Sequence, residues 1–334
     1  MRRPGILKRR IGADLGSLRA VIRLWLSRHQ RWDSPVYLVG ESYGGFRAAA
    51  LARELPQEDG IDISGLVLVS PALDLSLLRD SERDLLAAAF ELPSYAASAG
   101  EHDLAAVERF ALSNYLVGLA GLKGEPPAGD PFIARLAGMI GLPADLVRRH
   151  RGRISPHLFV RELRRSQREI VSLYDGTVAR PAQAANDEAG DPVLDPAIAA
   201  FTAAFNTYLA QSLDYHTDLA YRVLPHDVSR EWNWEGERSG RRGGLGLAMN
   251  SLQRALLQHP GMKVLIANGR DDLVTPYLGS RWLIDQLELP PAVRADIRLR
   301  IYEGGHMMYM RPSSRAALAR DAAELYGAPA GPSQ

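Results

Sequence analysis

Four short runs of apolar residues are each followed by a turn rich in glycine, serine or acidic residues. They cover residues 36–39, 66–69, 263–267 and 297–302. Runs of this length that are rich in valine, leucine and isoleucine are typical of buried β-strands. Residues 46–55, between the first two runs, carry a helical pattern. This part of the chain therefore predicts a β-turn-α-β unit, and the whole chain predicts an α/β fold with a mostly parallel sheet.

The second and third runs are separated by far more chain than a crossover helix needs. Apolar residues recur at helical spacing in 103–119, 142–151, 158–169 and 196–213. We predict core parts at 1–75 and 256–330, with a largely helical insertion over 76–255 that forms a lid. Linkers are predicted at Asp175-Gly176, 186–196 and 235–244. Four aromatic residues of the lid are predicted either to line the pockets for substrate side chains or to pack within the lid. They are Tyr95, Tyr174, Trp232 and Trp234.

The first run leads into the hexamer Gly-Glu-Ser-Tyr-Gly-Gly at residues 40–45. A strand that ends in Gly-x-Ser-x-Gly and continues into a helix is the turn that presents a serine nucleophile. We expect a turn so tight that only glycine fits at Gly40 and Gly44. It should hold Ser42 above the sheet at a helix N-terminus. Because this short motif also occurs by chance, the flanking strand and helix carry the prediction.

A serine hydroxyl needs a base that takes its proton, and the base needs an acid that orients it. Asp271 and Asp272 follow the third strand, in a turn bounded by Gly269 and Pro276. His306 follows the fourth strand in a glycine-flanked loop, a placement that the other seven histidines lack. The position within the turn favours Asp272 as the acid. We expect Asp271 to be a solvated loop charge or a helix cap.

Gly-Glu-Ser-Tyr-Gly-Gly, together with Gly-Gly-His-Met at 304–307, resembles the serine carboxypeptidase family in its bacterial branch. Residues 30–35 are similar to that family's approach to its nucleophile. Residues 269–272 resemble its Gly-Asp-x-Asp turn, with Arg270 in place of the first acid. The resemblance implies an α/β-hydrolase core that lacks the family's N-terminal strands. It also implies a serine-type carboxypeptidase that releases C-terminal amino acids from peptides with a free C-terminus.

The resemblance further implies roles for single residues. Ser42, Asp272 and His306 would form the triad, and the N–H of Tyr43 would stabilise the oxyanion. Glu41 would bind the terminal carboxylate of the peptide. An acid pair at such a site must share a proton, so we expect coupled titration that favours acidic pH. The family's first strands, which also carry a second oxyanion donor and the partner of Glu41, have no counterpart here, so residues 36–39 should form an exposed apolar edge.

Two other functions fit the same residues. An acyltransferase or esterase would use the same triad on an ester. An inactive, truncated homologue would keep the motif without the activity. A peptide with a blocked C-terminus separates the first two classes, since a carboxypeptidase should spare it.

Composition limits the remaining classes. The 334 residues carry a net charge of +1, which gives no case for nucleic acid or an acidic membrane as a partner. There is no cysteine, and no pair of histidines has zinc-like spacing, so neither a metal nor another cofactor is expected. No apolar run is long enough to span a membrane. The sequence as given has no signal-peptide pattern and predicts a cytoplasmic protein, although the family it resembles is often exported.

Overall fold

A parallel sheet organises the chain. The structure, a computed structural model, describes residues 11–78, 84–121, 129–182, 190–219, 221–233 and 247–327. Within these ranges the sheet contains, in spatial order, β1 (Tyr37–Glu41), β2 (Gly65–Val69), β5 (Lys263–Gly269) and β6 (Ile297–Tyr302), and all its pairings are parallel. A separate antiparallel hairpin consists of β3 (Glu169–Val171) and β4 (Ala179–Pro181). The predicted α/β class and parallel sheet are confirmed.

Helices follow the strands and fill the long gap between β2 and β5. The first part of the chain contains α1 (Ile11–Arg28) and α2 (Tyr43–Glu54). The gap contains α3 (Leu85–Ser98), α4 (Leu104–Phe110), α5 (Leu116–Leu119), α6 (Gly129–Ile140), α7 (Ala144–Arg149), α8 (Pro156–Glu162), α9 (Leu194–Ser212), α10 (His226–Glu231) and α11 (Leu247–Gln258). The last part contains α12 (Tyr277–Asp285), α13 (Pro291–Arg294) and α14 (Pro312–Leu325).

One predicted helix is shorter than its pattern. The helix expected over 158–169 ends at Glu162, and a 3₁₀ turn, Arg165–Gln167, follows it. Arg168 then adopts a left-handed conformation with φ of 57°. A left-handed residue ends helical hydrogen bonding, so the chain turns into β3 at this point.

The described residues form two large apolar cores. The sheet core packs α1, α2 and α11 against β2 and β5, with Phe46, Leu66 and Leu252 fully buried. A second core joins helices α3 to α8 to the start of α12 through Tyr277. α11 falls largely within the range predicted as insertion, yet its buried face belongs to the sheet core. The second core thus includes Leu273 and Tyr277, which closely follow the candidate acid Asp272.

β1 is the edge strand of the described sheet. Val39, in its centre, is 64% exposed, in line with the expected apolar edge. None of the described helices combines the length and apolar character needed to cross a membrane.

Candidate active site

The predicted site residues lie at one edge of the sheet. Ser42 follows β1 directly, Asp272 comes three residues after β5, and His306 comes four residues after β6. Because the strands are parallel, their carboxyl ends meet at the same edge, where ligands commonly bind in open α/β sheets. Ser42 and His306 line one cavity there, with a volume of about 800 Å³.

Ser42 is held in a strained backbone conformation. Its φ of 54° and ψ of −120° are uncommon for a residue with a side chain. Its N–H donates to the carbonyl of Val69 (2.9 Å), and its carbonyl accepts from Gly45 (2.9 Å) and Ala72 (3.0 Å). The bonds with Val69 and Ala72 tie the strained turn to the end of β2 and to the chain that leaves it. The Ser42 hydroxyl makes no capping bond to α2, which begins at the next residue.

The glycines around Ser42 differ from the prediction in one respect. A Cβ on Gly40 would lie 2.1 Å from the carbonyl oxygen of Gly44, so glycine is required there. The expectation for Gly44 was wrong, because a Cβ on that residue would meet no atom within 4 Å. The second tight position is Gly45, whose added Cβ would lie 2.5 Å from the Cβ of Pro71. The turn is crowded where α2 passes the chain leaving β2.

Asp272 and His306 form a buried pair. His306 Nδ1 lies 2.9 Å from Asp272 Oδ2, and the two residues are 3% and 0% exposed. The other carboxylate oxygen of Asp272 accepts from the N–H groups of Val274 (2.8 Å) and Thr275 (3.0 Å). The hydroxyl of Thr275 donates to Asp272 Oδ2 at 2.8 Å. With Nδ1 as donor to the carboxylate, Nε2 is the ring nitrogen available to accept a proton.

Asp271 has a different environment from the one expected. Its side chain is fully buried, so it is neither a solvated charge nor a helix cap. One oxygen accepts from the N–H of Gly304 (3.3 Å) and from Arg270 (3.4 Å). The other oxygen has no hydrogen-bond partner among the described residues. Burial raises the pKa of Asp271, although the charge of Arg270 opposes this.

The loop that carries His306 is fixed by a segment of the helical region. The N–H of His306 donates to the carbonyl of Tyr174 (2.6 Å), and that of Gly305 donates to Asp175 Oδ2 (3.1 Å). A Cβ on Gly305 would lie 1.8 Å from the carbonyl oxygen of Tyr174, so the two chains can approach only at a glycine. Ser70, after β2, donates its hydroxyl to the carbonyl of His306 at 2.8 Å.

Asp175-Gly176 is therefore not a linker. Asp175 is buried, and Arg311 donates to it at 2.8 Å. The N–H of Gly176 donates to the carbonyl of Asp271 at 3.0 Å. The pattern of an acid before a glycine indicated a turn, but the turn is packed inside the site because it meets the loop after β5.

Glu41 has a phenol as its partner rather than a second acid. Tyr309 donates its hydroxyl to both oxygens of the Glu41 carboxylate, at 3.0 and 2.8 Å. The acid partner that the resemblance implies for Glu41 was expected to have no counterpart in this chain, and the described residues place Tyr309 beside Glu41 instead. Burial raises the pKa of Glu41, and the charge of Asp272 adds to this, while the Tyr309 bond and His306 oppose it. Tyr309 carried no signal in the sequence beyond its place near His306.

The charge state of His306 depends on the same acids. Burial lowers its pKa, but the charge and hydrogen bond of Asp272 and the charge of Glu41 outweigh burial, so the pKa is raised. No hydrogen bond between Ser42 and His306 is present in the described residues. Such bonds are often long without a substrate and shorten when one binds.

The N-terminus of α2 points its first N–H groups toward the serine. Tyr43 is the first residue of this helix. The early N–H groups of a helix have no acceptor within the helix and favour negative charge nearby. Arg47, one turn further on, stacks over the Tyr43 ring at 4.7 Å and is held by both carboxylate oxygens of Asp14.

The predicted aromatic lining is present only in part. Tyr174 lines the cavity and meets the His306 ring edge-on, with centroids 5.5 Å apart. Tyr95 is buried in the second core, stacked on Phe159. Trp232 packs edge-on against Tyr43. Trp234 and the predicted linker at 235–244 lie outside the described residues, as does part of the linker at 186–196.

The described side chains include no group of three or more histidines and acids placed to hold a metal ion. No protein-family model matches the chain, and no curated protein matches it significantly. The interpretation of the site therefore depends on its geometry.

Proposed function

We propose that the chain is a serine-type hydrolase of the α/β-hydrolase kind, acting as a carboxypeptidase. The observation that carries this proposal is the buried His306–Asp272 pair, 2.9 Å apart, beside a cavity that Ser42 also lines. A histidine held by a buried carboxylate next to a strained serine is the arrangement that nucleophilic acyl transfer requires.

In this mechanism Ser42 Oγ attacks the carbonyl carbon of the last peptide bond. His306 Nε2 takes the serine proton, and Asp272 keeps the ring in the required tautomer and stabilises the imidazolium. The N–H of Tyr43 donates to the oxyanion that develops on the carbonyl. His306 then gives the proton to the departing amine, and water, activated by the same nitrogen, hydrolyses the acyl-enzyme.

Glu41 and Tyr309 support a substrate with a free carboxylate. They lie side by side in the cavity wall that holds Ser42. Two anions repel unless one is protonated, so Glu41 takes up a proton as the peptide carboxylate binds, and burial, which already raises the pKa of Glu41, makes this uptake easier. A protonated Glu41 donates to the terminal carboxylate of the peptide, while the Tyr309 hydroxyl holds the Glu41 side chain in place.

Two measurements test the proposal. A fluorophosphonate should label the chain at Ser42, and Ser42→Ala should abolish the labelling. An N-blocked dipeptide with a free C-terminus should release its last amino acid, and the same dipeptide as a C-terminal amide should not. Absence of labelling in the folded protein would refute the nucleophile. Labelling with equal cleavage of acid and amide would refute the carboxypeptidase.

An esterase or acyltransferase is the second candidate, because most of the cavity wall is apolar. Such an enzyme would cleave p-nitrophenyl esters faster than any peptide acid. Its KM for such esters would also be unchanged by Glu41→Gln.

A further inference from the structure

One face of α9 forms a continuous apolar stripe. Leu194, Ile198, Phe201, Phe205 and Tyr208 follow one another at spacings of four, three, four and three residues, which places them on the same side of the helix. All five line the cavity that contains Ser42 and His306. We call these five residues the α9 stripe.

None of the apolar cores formed by the described residues includes the α9 stripe. Phe201, Phe205 and Tyr208 are 41%, 36% and 52% exposed, whereas Ala197 is the residue of this helix that is buried. Large apolar side chains grouped on an exposed surface are typical of a binding site. Since the whole helix carries a single charged side chain, Asp195, the group that it binds should be uncharged.

The segment after α9 packs against the stripe and lines the same cavity. Tyr221, in the segment after α9, stacks on Phe205 with ring centroids 4.2 Å apart. Leu224, from the same segment, also lines the cavity. The cavity thus has an apolar wall and a more polar wall with Ser42 and His306, and its volume is within the range of small-molecule sites. The stripe and Ser42 therefore line one and the same cavity.

We propose that the α9 stripe binds a bulky, uncharged apolar side chain of the substrate, aromatic or large aliphatic, next to the bond that Ser42 attacks. This proposal rests on the proposed function, because that function makes a peptide the molecule that enters the cavity. The continuity of the stripe with the nucleophile favours a substrate over a second protein.

Binding to an inactive variant tests this without relying on turnover. In a Ser42→Ala background, calorimetry compares N-acetyl dipeptides with phenylalanine, alanine or lysine at each position in turn. At one of the two positions, phenylalanine should bind about 10- to 100-fold more tightly than alanine, because its ring removes more apolar surface from water. Lysine should bind no better than alanine at that position.

Two variants locate the effect. Phe201→Ala, made in the Ser42→Ala background, should reduce the preference for phenylalanine at least about fivefold. Thr207→Ala is the matched control, since Thr207 is exposed on the same helix and does not line the cavity. Melting curves confirm that each variant is folded. If Phe201→Ala does not fold, Phe205→Ala takes its place in the measurement.

Three results would overturn the proposal. These are equal binding of the phenylalanine, alanine and lysine peptides, an unchanged preference in both stripe variants, and no binding of any dipeptide at millimolar concentration. Labelling of Ser42 by a fluorophosphonate is independent of the stripe. A chain that is labelled but binds without preference would refute this inference and leave the nucleophile in place.

Discussion

The carboxylate of Asp175 accepts a hydrogen bond from the backbone N–H of Gly305, the residue before His306, at 3.1 Å. Asp175 belongs to the long region between β2 and β5, and Gly305 belongs to the loop after β6. The same carboxylate is bound by Arg311 and by the hydroxyl of Thr177. The position of the candidate base is therefore fixed by the helical region as well as by the sheet.

Asp175→Asn tests this positioning. Asparagine replaces one acceptor oxygen of Asp175 by an NH₂ group, which is a donor. This NH₂ group must then face another donor, because the carboxylate is surrounded by the N–H of Gly305, the hydroxyl of Thr177 and the guanidinium of Arg311. We expect kcat to fall about 10- to 100-fold, with little change in KM, because small displacements of a catalytic group are costly. The rate of fluorophosphonate labelling should fall in parallel. Glu169→Gln, in the neighbouring strand β3, is the control, and an unchanged labelling rate in Asp175→Asn would contradict the role.

Asp272→Asn should nearly abolish turnover. Replacing the acid that orients the histidine favours the wrong tautomer, which lowers kcat by about 10⁴ in enzymes of this type. Asp271→Asn is the matched control, one residue away and equally buried, and it should keep most of the activity. Steady-state kinetics on one substrate decides between them. Equal losses in both variants would show that the acid was wrongly chosen.

Asp271→Asn should also change stability in a pH-dependent way. Because the folded pKa of Asp271 is raised, its contribution to stability is fully present below its unfolded pKa, about 3.9, and is lost as pH rises through the folded value. The uncharged asparagine removes this loss. We expect a higher melting temperature than the parent at pH 8 and a smaller difference at pH 4. A lower melting temperature at pH 8 would contradict the direction.

Tyr309→Phe should weaken binding of substrates with a free carboxylate. The variant keeps the ring and removes the hydroxyl that holds Glu41. We expect KM for a peptide acid to rise about 5- to 10-fold, the effect of one lost hydrogen bond, and KM for the corresponding methyl ester to stay the same. Tyr326→Phe, on a distant exposed tyrosine, is the control. An equal change for acid and ester would assign Tyr309 to the general structure of the site.

The pH profile should reveal the coupling between Glu41 and His306. His306 acts as a base only when neutral, so kcat/KM on an ester falls as pH drops through its pKa, which lies above the ordinary value of about 6.5. Since the Glu41 charge helps to raise that pKa, Glu41→Gln should move this limb of the profile to lower pH. Glu303→Gln removes an exposed charge from the loop that carries His306. This variant should leave the limb of the profile at the same pH as in the parent. An unmoved limb in Glu41→Gln would exclude the coupling.

The sequence by itself determined the strands and the residues that directly follow them. Residues 297–302 were predicted as a strand and form β6, and the run at 263–267 lies within β5. The placement of Ser42 and His306 after strands followed from the same runs. These features depend on local sterics and on apolar periodicity, which neighbouring residues along the chain already specify.

The tertiary structure alone decided how the site is held together. Asp271 and Asp272 both follow β5 and are both buried, but Asp272 contacts His306 and Asp271 contacts Gly304. Tyr309 meets Glu41 across 268 positions of sequence, and Gly305 meets Asp175 across 130. Such pairings arise from the packing of distant segments, because each buried polar group must find a partner wherever the fold brings one. No local pattern in the sequence specifies these partners.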